Sequence, residues 1–207
     1  MVSLRSLRPV FVLFFMAIVV MAPGARAQSA QDASAMVSSL ANRALQILGD
    51  KSIPLAEREA NFRVLFTENF HIRSIGVFVL GRHWRRATPA QRKAYLDVFE
   101  RFIVKTYTVR LRQYTGEKFK IIRAMGPDER GVYLVDSEIN RPDRNKISLS
   151  WTLRRAKAGL RVVDIVIQNL SMAQTQREDF AAIIRRRGSI DGLISALEEK
   201  MKKLDKS

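Results

Sequence analysis

Residues 146–155, KISLSWTLRR, limit the fold more than any other stretch. Ile147, Leu149, Trp151 and Leu153 alternate there with Ser148, Ser150 and Thr152. A period of two means a strand with one apolar and one polar face. The apolar face has to be shielded from water, so the chain must supply a layer to lie on it. Companion runs rich in β-formers surround it: residues 117–125 (EKFKIIRAM), 131–140 (GVYLVDSEIN) and 160–169 (LRVVDIVIQN). Turn signals separate them at Gly126-Pro127-Asp128, Arg141-Pro142-Asp143 and Lys157-Ala158-Gly159. This spacing predicts a four-stranded antiparallel meander. Ile147, Leu149 and Trp151, with Val163, Ile165 and Ile167, are expected on its inner face.

The flanking segments have helical period instead. Met36, Val37, Leu40, Ala44, Leu45 and Leu48 form one stripe that stops at Gly49. Pro54 suits a first helical turn, and Leu55, Phe62, Leu65, Phe66 and Phe70 follow it. Residues 72–81 predict a short helix ending at Gly81. Thr88-Pro89-Ala90-Gln91 then reads as a helix start with a capping box. Beyond it Tyr95, Phe99, Phe102, Ile103, Tyr107, Leu111 and Tyr114 share one face, and Gly116 is the expected end. After the strands, Phe180, Ile183 and Ile184 precede Gly188, and Leu193, Ile194, Leu197 and Met201 follow it. The order predicts an α+β domain: N-terminal helices, a four-stranded antiparallel sheet, and C-terminal helices. No internal repeat or low-complexity linker interrupts it.

The first 27 residues read as an export signal. Arg5 and Arg8 precede an apolar run over residues 10–22, and Ala25-Arg26-Ala27 offers a cleavage site before Gln28. That run is about 13 residues, short of the roughly 20 needed to span a bilayer. Cleavage removes three of the 36 basic residues and no acids, leaving 33 Lys and Arg against 20 Asp and Glu in a single domain over residues 28–207. There is no cysteine, so core packing must hold the fold without disulfides. Export removes nucleic acid from the expected partners of this basic chain. Phospholipid headgroups, lipopolysaccharide and acidic protein faces remain.

Little in the sequence points to catalysis. The absence of cysteine excludes thiol chemistry. The two histidines, His71 and His83, have no second ligand at metal-binding spacing. No nucleophile elbow or glycine-rich phosphate loop occurs. Asp97 and Glu100 sit among arginines on the polar side of a helix, which suits an ion-paired surface. Asp164, inside an apolar strand, is the best single candidate for a perturbed acid, either on the wet side of the sheet or paired with an arginine. No cofactor is implied.

Two blocks carry a family resemblance. Residues 79–107, VLGRHWRRATPAQRKAYLDVFERFIVKTY, resemble the MlaC family, also called toluene-tolerance periplasmic proteins, through Leu80, Gly81, Trp84, Arg85, Ala87, Thr88, Pro89, Gln91, Arg92, Phe99 and Tyr107. Residues 164–200 resemble the family's C-terminal signature through Ser171, Met172, Arg177, Phe180, Ile184, Gly188, Gly192, Leu193 and Leu197. The likeness covers nearly all of the chain after the leader, in the same order. One departure concerns the glycine that the family usually has before Ser-Met. This chain has Asn169-Leu170, and asparagine tolerates positive φ. The departure leaves open a divergent subgroup such as the hopanoid-associated paralogues.

The resemblance implies a monomeric periplasmic carrier that moves phospholipid between the outer and inner membranes and maintains outer-membrane lipid asymmetry. It would receive lipid from an outer-membrane lipoprotein complex and pass it to an inner-membrane ABC transporter with an MCE-domain protein. Acyl chains would lie in a cavity enclosed by the helices and the sheet. The expected lining is Tyr95, Phe99, Phe102 and Tyr107 opposite Ile147, Leu149, Trp151, Val163, Ile165 and Ile167. Arg82, Arg85 and Arg86, with Arg185, Arg186 and Arg187, are the expected contacts for headgroup or docking partner, since a guanidinium can bond two phosphate oxygens. Two acyl chains carry roughly 30 methylenes, whose exposure costs on the order of 24 kcal/mol, so a carrier needs a dry cavity and no catalytic group. The competing readings are a solid core with a solvated arginine face, an envelope binding protein without a cavity, and a small-molecule enzyme.

Overall fold

The computed structural model describes residues 29–110, 118–141 and 144–205. The expected leader, the turn residues Pro142 and Asp143, and Leu111, Tyr114 and Gly116 lie outside these. Seven helices are described: α1 (Ala30–Gly49), α2 (Leu55–Asn69), α3 (Ile72–Leu80), α4 (Arg82–Arg86), α5 (Pro89–Arg110), α6 (Met172–Arg187) and α7 (Ile190–Leu204). Between α5 and α6 lies an antiparallel sheet of β1 (Lys118–Met125), β2 (Val132–Arg141), β3 (Arg144–Ala156), β4 (Gly159–Ile167) and β5 (Leu170–Ser171), in sequential order.

Local chemistry explains most of the boundaries. Ser29 and Asp32 form a capping box at α1, with bonds of 2.6 and 3.2 Å. Thr88 and Gln91 form the expected one at α5, both bonds 3.1 Å. Gly81 has φ 57° and turns the chain between α3 and α4, a conformation that disfavours a side chain.

The sheet differs from the expected meander in two ways. A two-residue turn, Gln168 (φ 48°) and Asn169 (φ 67°), folds Leu170 and Ser171 back against Ile167 and Val166 as a fifth strand. Positive φ at both positions is what a tight hairpin demands. The second difference is a bulge. Thr152 pairs with Asp164, but Leu153 pairs with Val162, so Val163 has no cross-strand partner. The extra residue shifts the alternation of β4. Leu160, Val162, Ile165 and Ile167 therefore belong to the sheet's apolar cluster, and Val163 does not.

The core has two parts. In the sheet core, Ala33, Val37 and Leu40 of α1 cover Tyr133, Val135, Trp151, Leu153 and Val162. In the helix core, α5 packs chiefly against α7, α2 and α3. Tyr95, Phe99 and Phe102 surround Phe180, with ring centroids 6.2, 6.2 and 6.0 Å from it. α2 divides the two: Leu65 enters the sheet core, while Phe62 and Phe66 enter the helix core.

Candidate functional site

The division of the core separates the two halves of the expected cavity lining. Tyr95, Phe99 and Phe102 are buried among helices and do not face the sheet. The Tyr95 hydroxyl donates to the Gly76 carbonyl at 3.0 Å, and burial pushes its pKa far up. Gly76 lets α3 and α5 meet at this point, because an added Cβ would lie 2.7 Å from Leu96 Cδ2. Leu149 and Trp151 are buried in the sheet core, where Ile147, Ile165 and Ile167 pack only partly buried. Tyr107 is partly buried at the edge of the helix core.

What joins the halves is a seam. Ala44 and Ile47 of α1, with Phe70 just after α2, are partly buried and pack against both clusters. The sheet opens as it approaches one end. Paired positions Tyr133 and Leu153 are fully buried, and so are Val135 and, nearly, its partner Trp151. Four residues further along, Ile139 and Ile147 pair and are only partly buried. Phe119 and Ile121 of β1 and Ile167 of β4 share this half-open condition. The Ser137 hydroxyl, buried on this face, accepts a hydrogen bond from Trp151 Nε1 at 2.8 Å. A surface of this kind offers burial to alkyl chains and no charge to bind.

Two surface clefts are made of other residues. One, of about 650 Å3, lies among α2, α5 and α7. Ion pairs cross it: Lys105 with Glu59 at 2.8 Å, and Arg63 with Glu100 at 2.9 Å. Burial opposes the charge on Lys105, but hydrogen bonds to Asp205 and Glu59 outweigh it and raise its pKa. The other, of about 330 Å3, includes Met125, Leu134, Thr152 and Arg154. None of the expected lining residues borders either.

The arginine clusters come to one end of the helical layer. Gln91 Nε2 donates to Asp191 Oδ2 at 2.8 Å. Arg86 lies five residues before Gln91, and Arg187 four residues before Asp191. Arg82, Arg85, Arg86, Arg185 and Arg186 are exposed, and Arg187 is paired with Glu199 at 2.7 Å. The 16 residues of α6 place Arg187 about 24 Å along the helix from Ser171 on the sheet. That triplet is thus far from the half-open isoleucines. The short helix α4 was not legible as an element, and Trp84 on it is flanked by Arg92 at 5.2 Å and Arg73 at 5.8 Å.

The remaining polar candidates have structural partners. Asp164 accepts hydrogen bonds from the Ile165 N–H at 2.8 Å, the Ala173 N–H at 3.0 Å and the Ser171 hydroxyl at 2.6 Å. It fastens the start of α6 to β4 and pairs with no arginine among the described residues. His71 Nδ1 accepts from the Ser74 N–H at the start of α3. Burial, then the neighbouring Arg82 and Arg86, holds the His83 imidazole below its ordinary pKa. Ala44, Ile47 and Phe70 were not among the expected lining residues. Ala44 and Phe70 stood on apolar stripes, but a stripe does not reveal that a residue touches two clusters.

Fold and geometry together define an α+β domain with a divided apolar interior and outward arginines. A solved structure from Ralstonia solanacearum, described as a phospholipid-binding protein in complex with a phospholipid, has the same fold. It superposes with a TM-score of 0.74 at 23% identity, over 86% of this chain and 99% of its own. The sequence model of the MlaC protein family matches residues 38–199, and the chain belongs to that family.

Proposed function

We propose that this protein is a periplasmic phospholipid carrier, exported by cleavage of the leader over residues 1–27. Its cargo's acyl chains lie along the seam of Ala44, Ile47 and Phe70 and the half-open isoleucines of the sheet. It takes lipid from an outer-membrane lipoprotein complex and delivers it to an inner-membrane ABC transporter with an MCE-domain protein, preserving outer-membrane lipid asymmetry. Family membership over residues 38–199 is the observation that carries this reading. The phospholipid in the Ralstonia neighbour supports it, as does a seam of apolar side chains that touches both cores. Among the described residues no helix is long and apolar enough to cross a membrane.

The test is to purify the protein from the periplasm without detergent, extract it with organic solvent, and identify the extract by mass spectrometry. Phospholipid near one molecule per chain is the expected result. Protein that emerges lipid-free, and stays so after incubation with phospholipid, would remove the carrier role. A polycyclic lipid in place of phospholipid would assign the cargo to the hopanoid class.

A further inference from the structure

Beyond its cargo, the basic end of the helical layer has features of a docking surface. Arg82, Arg85 and Arg86 of α4 are exposed, and so are Arg185 and Arg186 at the end of α6. Among the described residues none of the five has a carboxylate partner. The same holds for Arg73 on α3 and Arg177 on α6. The acids nearest in sequence to Arg177, Arg185 and Arg186 are Glu178, bonded by Gln174 at 2.7 Å, Asp179, and Asp191, bonded by Gln91.

Two aromatic rings lie among these cations. Phe78 is 44% exposed, and the Arg177 guanidinium stands 5.1 Å from its ring centre. The guanidiniums of Arg73 and Arg92 stand 5.8 and 5.2 Å from the ring centre of Trp84, which is partly buried against the helix core. Arg92 also donates to the carbonyls of Trp84 at 3.0 Å and Arg85 at 3.4 Å, so α4 is held on α5 as a fixed platform. The free guanidiniums come from α3, α4 and both parts of α6, and they border neither of the two clefts described above. A spread of cations with interleaved aromatics matches an extended layer of phosphates better than a single anion.

We infer that this face docks the carrier on the anionic headgroup surface of a bilayer. Phe78 and Trp84 sit at the level of the headgroups, and the arginines meet lipid phosphates. The inference concerns the outside of the protein and stands whether or not the seam holds acyl chains.

The test is co-sedimentation of the full chain without its leader, using phosphatidylcholine vesicles with and without about one third phosphatidylglycerol. Each arginine within reach of an anionic membrane strengthens binding roughly fivefold. The triple variant Arg82→Ala, Arg85→Ala, Arg86→Ala is therefore expected to bind anionic vesicles at least about tenfold more weakly, with its melting temperature unchanged. Binding of the unaltered protein should fall steeply with added salt and be weak on neutral vesicles. Phe78→Ser tests the aromatic part and should weaken binding severalfold at constant charge. Equal binding by the triple variant, or equal binding to neutral vesicles, overturns the inference. So does a protein that ignores anionic vesicles yet binds immobilised polyglutamate, which would assign the face to an acidic protein. Sedimentation reads protein on vesicles and mass spectrometry reads lipid in the protein, so the two proposals fail separately.

Discussion

Asp164 lies inside the largely apolar strand β4, and a carboxylate there needs partners to be tolerated. It has three, and two of them are the first residues around α6: the Ser171 hydroxyl and the Ala173 N–H. Its role is therefore that of a second cap supplied from the sheet. Asp164→Ala is expected to cost about 2 kcal/mol in urea denaturation, and Asp164→Asn about half as much because its amide oxygen still accepts. Asp136 on β2 has a related arrangement. Burial works against its ionisation, but hydrogen bonds from Ser150, at 2.6 Å, and from Arg123 outweigh burial and lower its pKa. A carboxylate with a lowered folded pKa contributes stability above its unfolded value of about 3.9, and loses it as pH falls through the folded value. Asp136→Asn should cost about 1 kcal/mol near neutral pH and less near pH 2, where the carboxylate begins to be protonated in the folded state as well. Urea titrations at the two pH values check this, and an equal penalty at both would show that charge is not involved.

The hairpin at the end of β4 is turned by two non-glycine residues at positive φ. Asn169 suits φ 67°, as expected of asparagine, but Gln168 at φ 48° does so at a cost. Gln168→Gly should relieve that strain and stabilise the protein by about 0.5–1 kcal/mol, provided the Ser148 carbonyl keeps its bond to the residue's N–H. A lower melting temperature for this variant would contradict the account. Elements with strong local chemistry were legible before the structure: the Thr88 and Gln91 box, the α1 stripe, and the alternation of β3. The bulge at Val163 was not, because residues 162–167 (VVDIVI) are apolar at both parities and no alternation marks where one residue is skipped. β5 was missed because two residues carry no period. The stripe on α5 correctly named Tyr95, Phe99 and Phe102 as interior. It did not reveal that they face α6 and Phe180 instead of the sheet, since periodicity tells which side of a helix is covered and not what covers it.

A fully closed core and a carrier's interior should respond differently to the same substitution, which gives the seam a test at the scale of the whole molecule. In the helix core around Phe180, atoms removed leave a void that neighbours fill only in part, so Phe99→Ala should cost about 3–5 kcal/mol. In the seam, Ala44 and Ile47 already retain access to water. Burying more apolar surface there needs no rearrangement of the two cores on either side. Ala44→Phe should thus leave the melting temperature of lipid-stripped protein unchanged or higher, while co-purified lipid falls severalfold. Stripping lipid from the unaltered protein should have the opposite effect. A ligand at about 100 times its dissociation constant adds about 2.7 kcal/mol, which for a domain of this size is a shift of several degrees. That stabilisation should vanish in Ala44→Phe, because the added ring takes the place of the acyl chains. Scanning calorimetry of both proteins, stripped and reloaded, reads all four states. If Ala44→Phe keeps its full lipid content, or if loaded and stripped unaltered protein melt together, the seam is ordinary packing and the acyl chains lie elsewhere.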